Sequence, residues 1–108
     1  MPPGGEDEAR AFYGGALGLT EEPKPPALAA RGGCWFTNGA VTLHLGVEHD
    51  FRPARKAHPA LRVEGFDDLC TTLEGSGHAV RLDDELPGVR RCYVDDPFGN
   101  RIEFMAAG

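Results

Sequence analysis

A chain of 108 residues with a formal charge of −6 makes one domain, or two small modules too short to fold apart; at this size roughly two-thirds of the surface is buried on folding. The acidic balance and the lack of any long basic run argue against sequence-independent nucleic-acid binding. A hydrophobic content of 41% is ordinary for a globular chain, and no apolar run nears the ~20 residues that a membrane span needs.

The opening MPPGGEDEAR has neither the charged start nor the apolar core of a signal peptide. Cys34, Cys70 and Cys92 show no CxxC spacing and read as small buried hydrophobes of a reducing, cytoplasmic protein. The basic residues Arg31, Arg52, Arg55, Lys56, Arg90 and Arg91 serve either surface solubility or recognition of an anionic ligand.

In chain order, Glu6 to about Gly18 predicts a helix. Glu6, Asp7 and Glu8 favour its first turn, and Ala9, Phe12 and Ala16 form an apolar stripe. Gly18 is a stop, while Gly14-Gly15 weakens the interior. Leu19 to Glu22 predicts a short strand, and Pro23, Pro25 and Pro26 then predict a loop or irregular edge. Gly33–Thr37 and Val41–Glu48 predict a hairpin around Asn38-Gly39, with Val41, Leu43, Leu45 and Val47 on one face and Thr42, His44, Gly46 and Glu48 on the other. HDFRPARK, 49–56, is a polar linker and the expected boundary between halves.

The second half opens with a strand over His58–Val63, followed by a helix over Phe66–Glu74 that Gly75 and Gly77 end. Ala79–Leu82 resumes as a strand, and Leu86-Pro87-Gly88 turns into the last hairpin. There Cys92 and Val94 alternate with Arg91, Tyr93 and Asp95; Asp96-Pro97-Phe98-Gly99-Asn100 reverses the chain; and Ile102 and Phe104 point away from Glu103. Glu103 is either a solvated outer-face residue or a ligand lining a cleft.

The halves share an order of helix, glycine stop, strand, turn and paired strands, so Thr42-Leu43-His44-Leu45 matches Arg101-Ile102-Glu103-Phe104. His44 and Glu103 occupy the same station, and His58 shares their facing. If each half is a curved sheet backed by its helix, all three project to the concave side. Two His and one carboxylate suit Zn, Ni, Fe, Mn or Co and leave positions open for substrate or water. His49 and His78 lie in or beside loops and are expected to be surface residues. The first half has only Met1-Pro2-Pro3-Gly4-Gly5 where the second has its opening strand, so a full repeat would need a strand upstream of Met1, and a missing one leaves a sheet edge open.

EARAFYGGALGL, VTLHLG, AHPALRV and DDPFGNRIEF together resemble the vicinal oxygen chelate superfamily, which holds glyoxalase I, bleomycin-resistance proteins, extradiol dioxygenases and fosfomycin-modifying enzymes. The resemblance implies an α+β fold of two βαβββ modules forming a cup-shaped half-barrel, in a single domain with module one at 1–48 and module two at 57–108, the first lacking its opening strand. It further implies a homodimer and a divalent metal ion held by His44, His58 and Glu103, with Glu103 as general base. Arg62, Arg91 and Tyr93, which share a cleft-facing register, and Trp35 are candidate contacts for a small-molecule substrate or drug. The expected function is a metal-dependent lyase or isomerase, dioxygenase or transferase; the alternatives are a metal-free drug-sequestering protein and an inactive truncated homologue whose open edge drives dimerisation.

Overall fold

A computed structural model describes residues 1–107, an α+β chain with two sheets and few helices. It falls into two compact units, Met1–Arg52 and Pro53 onward.

In the first unit, α1 (Glu6–Ala9) runs on as a π-helix over Arg10–Ala16. β1 (Thr20–Glu22), α2 (Pro26–Ala29), β2 (Cys34–Thr37) and β3 (Thr42–Leu45) follow, and the antiparallel sheet has the order β1-β2-β3. Ala9, Phe12 and Tyr13 meet Cys34 and Phe36 in the buried core, where the Tyr13 and Phe36 rings stack at 5.5 Å. Each buried aromatic contributes about 1.5–3 kcal/mol over its exposed state.

Three local expectations change here. The predicted single α-helix widens to π geometry, and the Leu17 N–H reaches back to the Phe12 carbonyl at 2.9 Å. Gly14-Gly15, the weak helix former noted above, lies inside that stretch. The proline segment expected as loop holds a short helix, α2, because Pro26 stands at its first turn, where the missing N–H costs nothing. The hairpin turn shifts by one residue: the Asn38 N–H bonds the Val41 carbonyl at 3.2 Å, leaving Gly39-Ala40 at the tip. The Asn38 side chain, accepting from the N–H groups of Ala40 and Val41, selects that register.

The second unit is a complete βαβββ module: β4 (Ala60–Val63), α3 (Phe66–Gly75), β5 (Arg81–Asp83), β6 (Arg91–Asp95) and β7 (Arg101–Ala106). Its sheet has the order β4-β7-β6-β5, with β4 parallel to β7 and the other pairs antiparallel. Phe66 and Leu73 of α3 are buried, as are Cys92, Val94, Ile102 and Phe104. Gly77, at φ +86°, ends α3 in a Schellman motif, with the His78 N–H donating to Leu73 and the Gly77 N–H to Glu74. Buried Asp96 holds the β6–β7 turn by accepting from the N–H groups of Phe98 and Asn100 and from the Asn100 amide.

β3 is an edge strand among the described residues, where its counterpart β7 has β4 beside it. Met1 occupies the last register of that position. Its ammonium donates to the Gly46 carbonyl at 2.7 Å, and its own carbonyl accepts from Glu48 N–H at 3.0 Å. Ala107 N–H donates to the Val63 carbonyl in the same way at 2.8 Å.

Candidate functional site

Strand registers assemble the site of the second unit. Glu103 on β7 pairs with Tyr93 on β6 and Ala60 on β4, and Arg91 pairs with Asp83 on β5. Cross-strand partners share a face, so Asp83, Arg91, Tyr93 and Glu103 stand together opposite the apolar side of Cys92, Val94, Ile102 and Phe104. His58, two residues ahead of β4, keeps their facing.

Glu103 is 7% exposed, and both of its oxygens are engaged. Oε1 lies 3.1 Å from His58 Nε2, and Oε2 accepts from Arg91 Nη1 at 3.1 Å. Arg91 Nη2 donates to Asp83 Oδ1 at 3.2 Å. The His58 ring meets Tyr93 edge-on at 5.6 Å, and the Arg91 and Arg101 guanidinium groups each lie 5.5 Å from the Tyr93 ring centre. Burial alone would raise the Glu103 carboxyl, but the hydrogen bonds from His58 and Arg91 outweigh it and hold the group below the usual carboxylate range.

The imidazole carries the chemical information. His58 Nδ1 lies 3.1 Å from the Arg55 carbonyl and 3.0 Å from the Lys56 carbonyl. Both partners are acceptors, so Nδ1 bears the proton and donates it to them. Nε2 is then the atom that turns its lone pair toward Glu103 Oε1, and two lone pairs at hydrogen-bond distance require a positive centre: a second proton on His58 or a cation. Right-angled metal–ligand bonds of about 2.1 Å put two donor atoms about 3.0 Å apart, so this donor pair fits one edge of a divalent-metal site. A backbone carbonyl on the remote ring nitrogen is also a usual support for a ligating imidazole. Among the described residues, no group of three or more His, Cys, Asp or Glu side chains is gathered to hold a metal ion.

The other sequence candidates are placed as follows. His44 stands exposed on β3 and stacks on its cross-strand partner Trp35, with ring centres 3.9 Å apart and planes 7° apart. Both line a groove of about 310 Å³ in the first unit with Lys24, Leu28, Arg31 and Val47. Arg62 is exposed in register with Met105, on the face of Glu103. A thiol nucleophile finds no support: burial, and then the neighbouring Cys70, push Cys92 up to about 12, and burial raises Cys34 as well. Sequence reasoning missed Asp83. The expected strand, Ala79–Leu82, stopped short of it, whereas β5 runs Arg81–Asp83, and the β5–β6 register that brings Asp83 to Arg91 is not a local property.

Two sheets with their helices, the second of them a full βαβββ module, define an α+β fold of the glyoxalase type. The chain is 51% identical to a protein of Bacillus anthracis described as of the glyoxalase family, with a TM-score of 0.95, covering 100% of this chain and 88% of that one. A glyoxalase/dioxygenase from Nostoc punctiforme is 25% identical at a TM-score of 0.74, with 94% of this chain and 83% of that chain covered. TnmS3, an antibiotic binding protein from a Streptomyces species, shares the fold at 22% identity and a TM-score of 0.77, with 100% and 91% covered. No family model matches the sequence. No curated protein matches it either. On the first of these likenesses, the chain belongs to the glyoxalase/bleomycin resistance protein/dioxygenase superfamily.

Proposed function

We propose that the chain is a divalent-metal enzyme of the glyoxalase type acting on a small oxygenated molecule, as a lyase or isomerase, dioxygenase or transferase. Its ligands are His58 and Glu103, and it works as a homodimer. The observation that carries this reading is the 3.1 Å approach of His58 Nε2 to Glu103 Oε1, with the Nδ1 proton already committed to carbonyl oxygens.

A bound divalent ion would polarise two neighbouring substrate oxygens and stabilise the oxyanion that develops. The chain's own groups do the rest. The Glu103 carboxylate, kept ionised by its hydrogen bonds, is the group that would take and return the substrate proton. The backbone contacts of His58 hold its ring so that Nε2 keeps its direction. Tyr93, in register beside Glu103, supplies an aromatic wall with a hydroxyl. Metal analysis after loading with cobalt, nickel or zinc tests the reading. One ion per chain is expected, lost in His58→Ala and Glu103→Ala; unchanged content in the variants overturns it.

A second reading is a metal-free binder that stacks a planar drug on Trp35. The flat Trp35–His44 pair and its adjoining groove favour it, and Lys24 and Arg31 in the lining select an apolar or anionic ligand over a cationic one. Calorimetry with planar acids and with cationic drugs, with metal absent, separates these.

A further inference from the structure

We propose that Arg91 is a positioning residue that sets the charge and denticity of Glu103 toward a metal ion; this rests on the metal reading above. The guanidinium spans two carboxylates, donating through Nη1 to Glu103 Oε2 at 3.1 Å and through Nη2 to Asp83 Oδ1 at 3.2 Å. Its side chain is 16% exposed, with Asp83 at 19% and Glu103 at 9%, so solvent screens the triad poorly.

Two consequences follow from this clamp. With Oε2 taken, Glu103 presents Oε1 alone on the side of His58, so it is a one-oxygen donor rather than a chelating carboxylate. Part of its charge is also neutralised before any ion arrives, which weakens the hold on a cation and leaves the ion more electrophilic toward substrate oxygens. Asp83 limits that effect by sharing the Arg91 charge. A residue reached only through cross-strand pairing thus tempers the ligand, and Arg91 acts through Glu103 instead of touching substrate.

The test is cobalt(II) titration, read by calorimetry and by the visible absorption of the bound ion, on the wild type and on Arg91→Met, Arg91→Lys and Asp83→Asn. Thermal unfolding confirms that each variant is folded. Loss of the cation in Arg91→Met is expected to tighten cobalt binding about tenfold and to change the absorption band as the freed carboxylate binds through both oxygens. Arg91→Lys, which keeps the charge, is expected to stay within about threefold of the wild type. Asp83→Asn, which throws the whole cation onto Glu103, is expected to weaken binding about threefold. Opposite shifts in Arg91→Met and Asp83→Asn separate charge setting from loss of structure, which would weaken both. Wild-type protein that takes up no cobalt overturns the metal reading itself; cobalt bound by the wild type but equally or less tightly by Arg91→Met overturns only the role given to Arg91.

Discussion

His44 and Glu103 hold equivalent stations on β3 and β7, each paired across the strand with an aromatic residue, Trp35 and Tyr93, yet His44 is exposed and Glu103 is buried. The difference is β4. It lies parallel to β7 with Ala60 in register with Glu103, while β3 has no such strand at that place among the described residues. The cover gives Glu103 its partner His58; in the first unit His44 stacks on Trp35.

That stack gives an optical reporter, because Trp35 is the chain's only tryptophan. The His44 ring lies flat against the indole with centres 3.9 Å apart, so it shields that face from water. His44→Ala uncovers the face, and tryptophan emission is expected to shift to longer wavelength. Steady-state fluorescence of both proteins checks it; identical spectra rule out the stack in solution.

Stability should follow Glu6 in acid. Its Oε2 accepts the Gly33 N–H at 2.8 Å, and this bond to the backbone holds its carboxyl below the ordinary value of 4.5. A carboxyl depressed on folding stabilises above its unfolded titration and loses that contribution as pH falls through the folded value. Glu6→Gln is therefore expected to lower the urea midpoint at pH 7 and to match the wild type at about pH 2. Parallel curves at both pH values would leave the Glu6 charge without a role.

Two glycines with nearly the same φ should respond differently to alanine. Gly33 has φ +87°, and a Cβ there would stand 2.1 Å from the Leu45 carbonyl oxygen, so backbone must move. Gly39 has φ +91° at the hairpin tip, with nothing within 4 Å. Gly39→Ala is expected to cost about 1–2 kcal/mol from the left-handed backbone alone, whereas Gly33→Ala is expected to cost about 4 kcal/mol or more and to loosen the β2–β3 pairing. Chemical denaturation of the two variants measures the difference.

On the second sheet, Phe104→Ala opens a cavity where the side chain is 2% exposed and is expected to cost about 3–5 kcal/mol. Leu82 is 74% exposed on β5, and Leu82→Ala is expected to stay within about 0.5 kcal/mol of the wild type. Equal losses would mean that the apolar side of β5 is covered in solution.

Local pattern made much of this readable. The alternation of Arg91–Asp95 and Arg101–Met105 identified β6 and β7 nearly to the residue, and the turn chemistry of Asp96 to Asn100 joined them. The shared facing of His58 and Glu103 followed from the same period of two. The π-helix, the helical turn at Pro26 and the one-residue shift at Asn38 were not legible, since each turns on competition between nearly equal backbone hydrogen bonds. Asp83 was missed for a different reason: its partner Arg91 lies eight residues on, in a register that only the assembled sheet supplies.

Sequence alone determined which side chains share a face, because successive residues of a strand must point to opposite sides. Tertiary structure decided which of them become chemically distinct. The parallel placement of β4 against β7 removes Glu103 from water and sets an imidazole and a guanidinium on its two oxygens. That pairing joins segments about forty residues apart, and no local preference of either strand encodes it; only the burial gained when the sheet closes selects it.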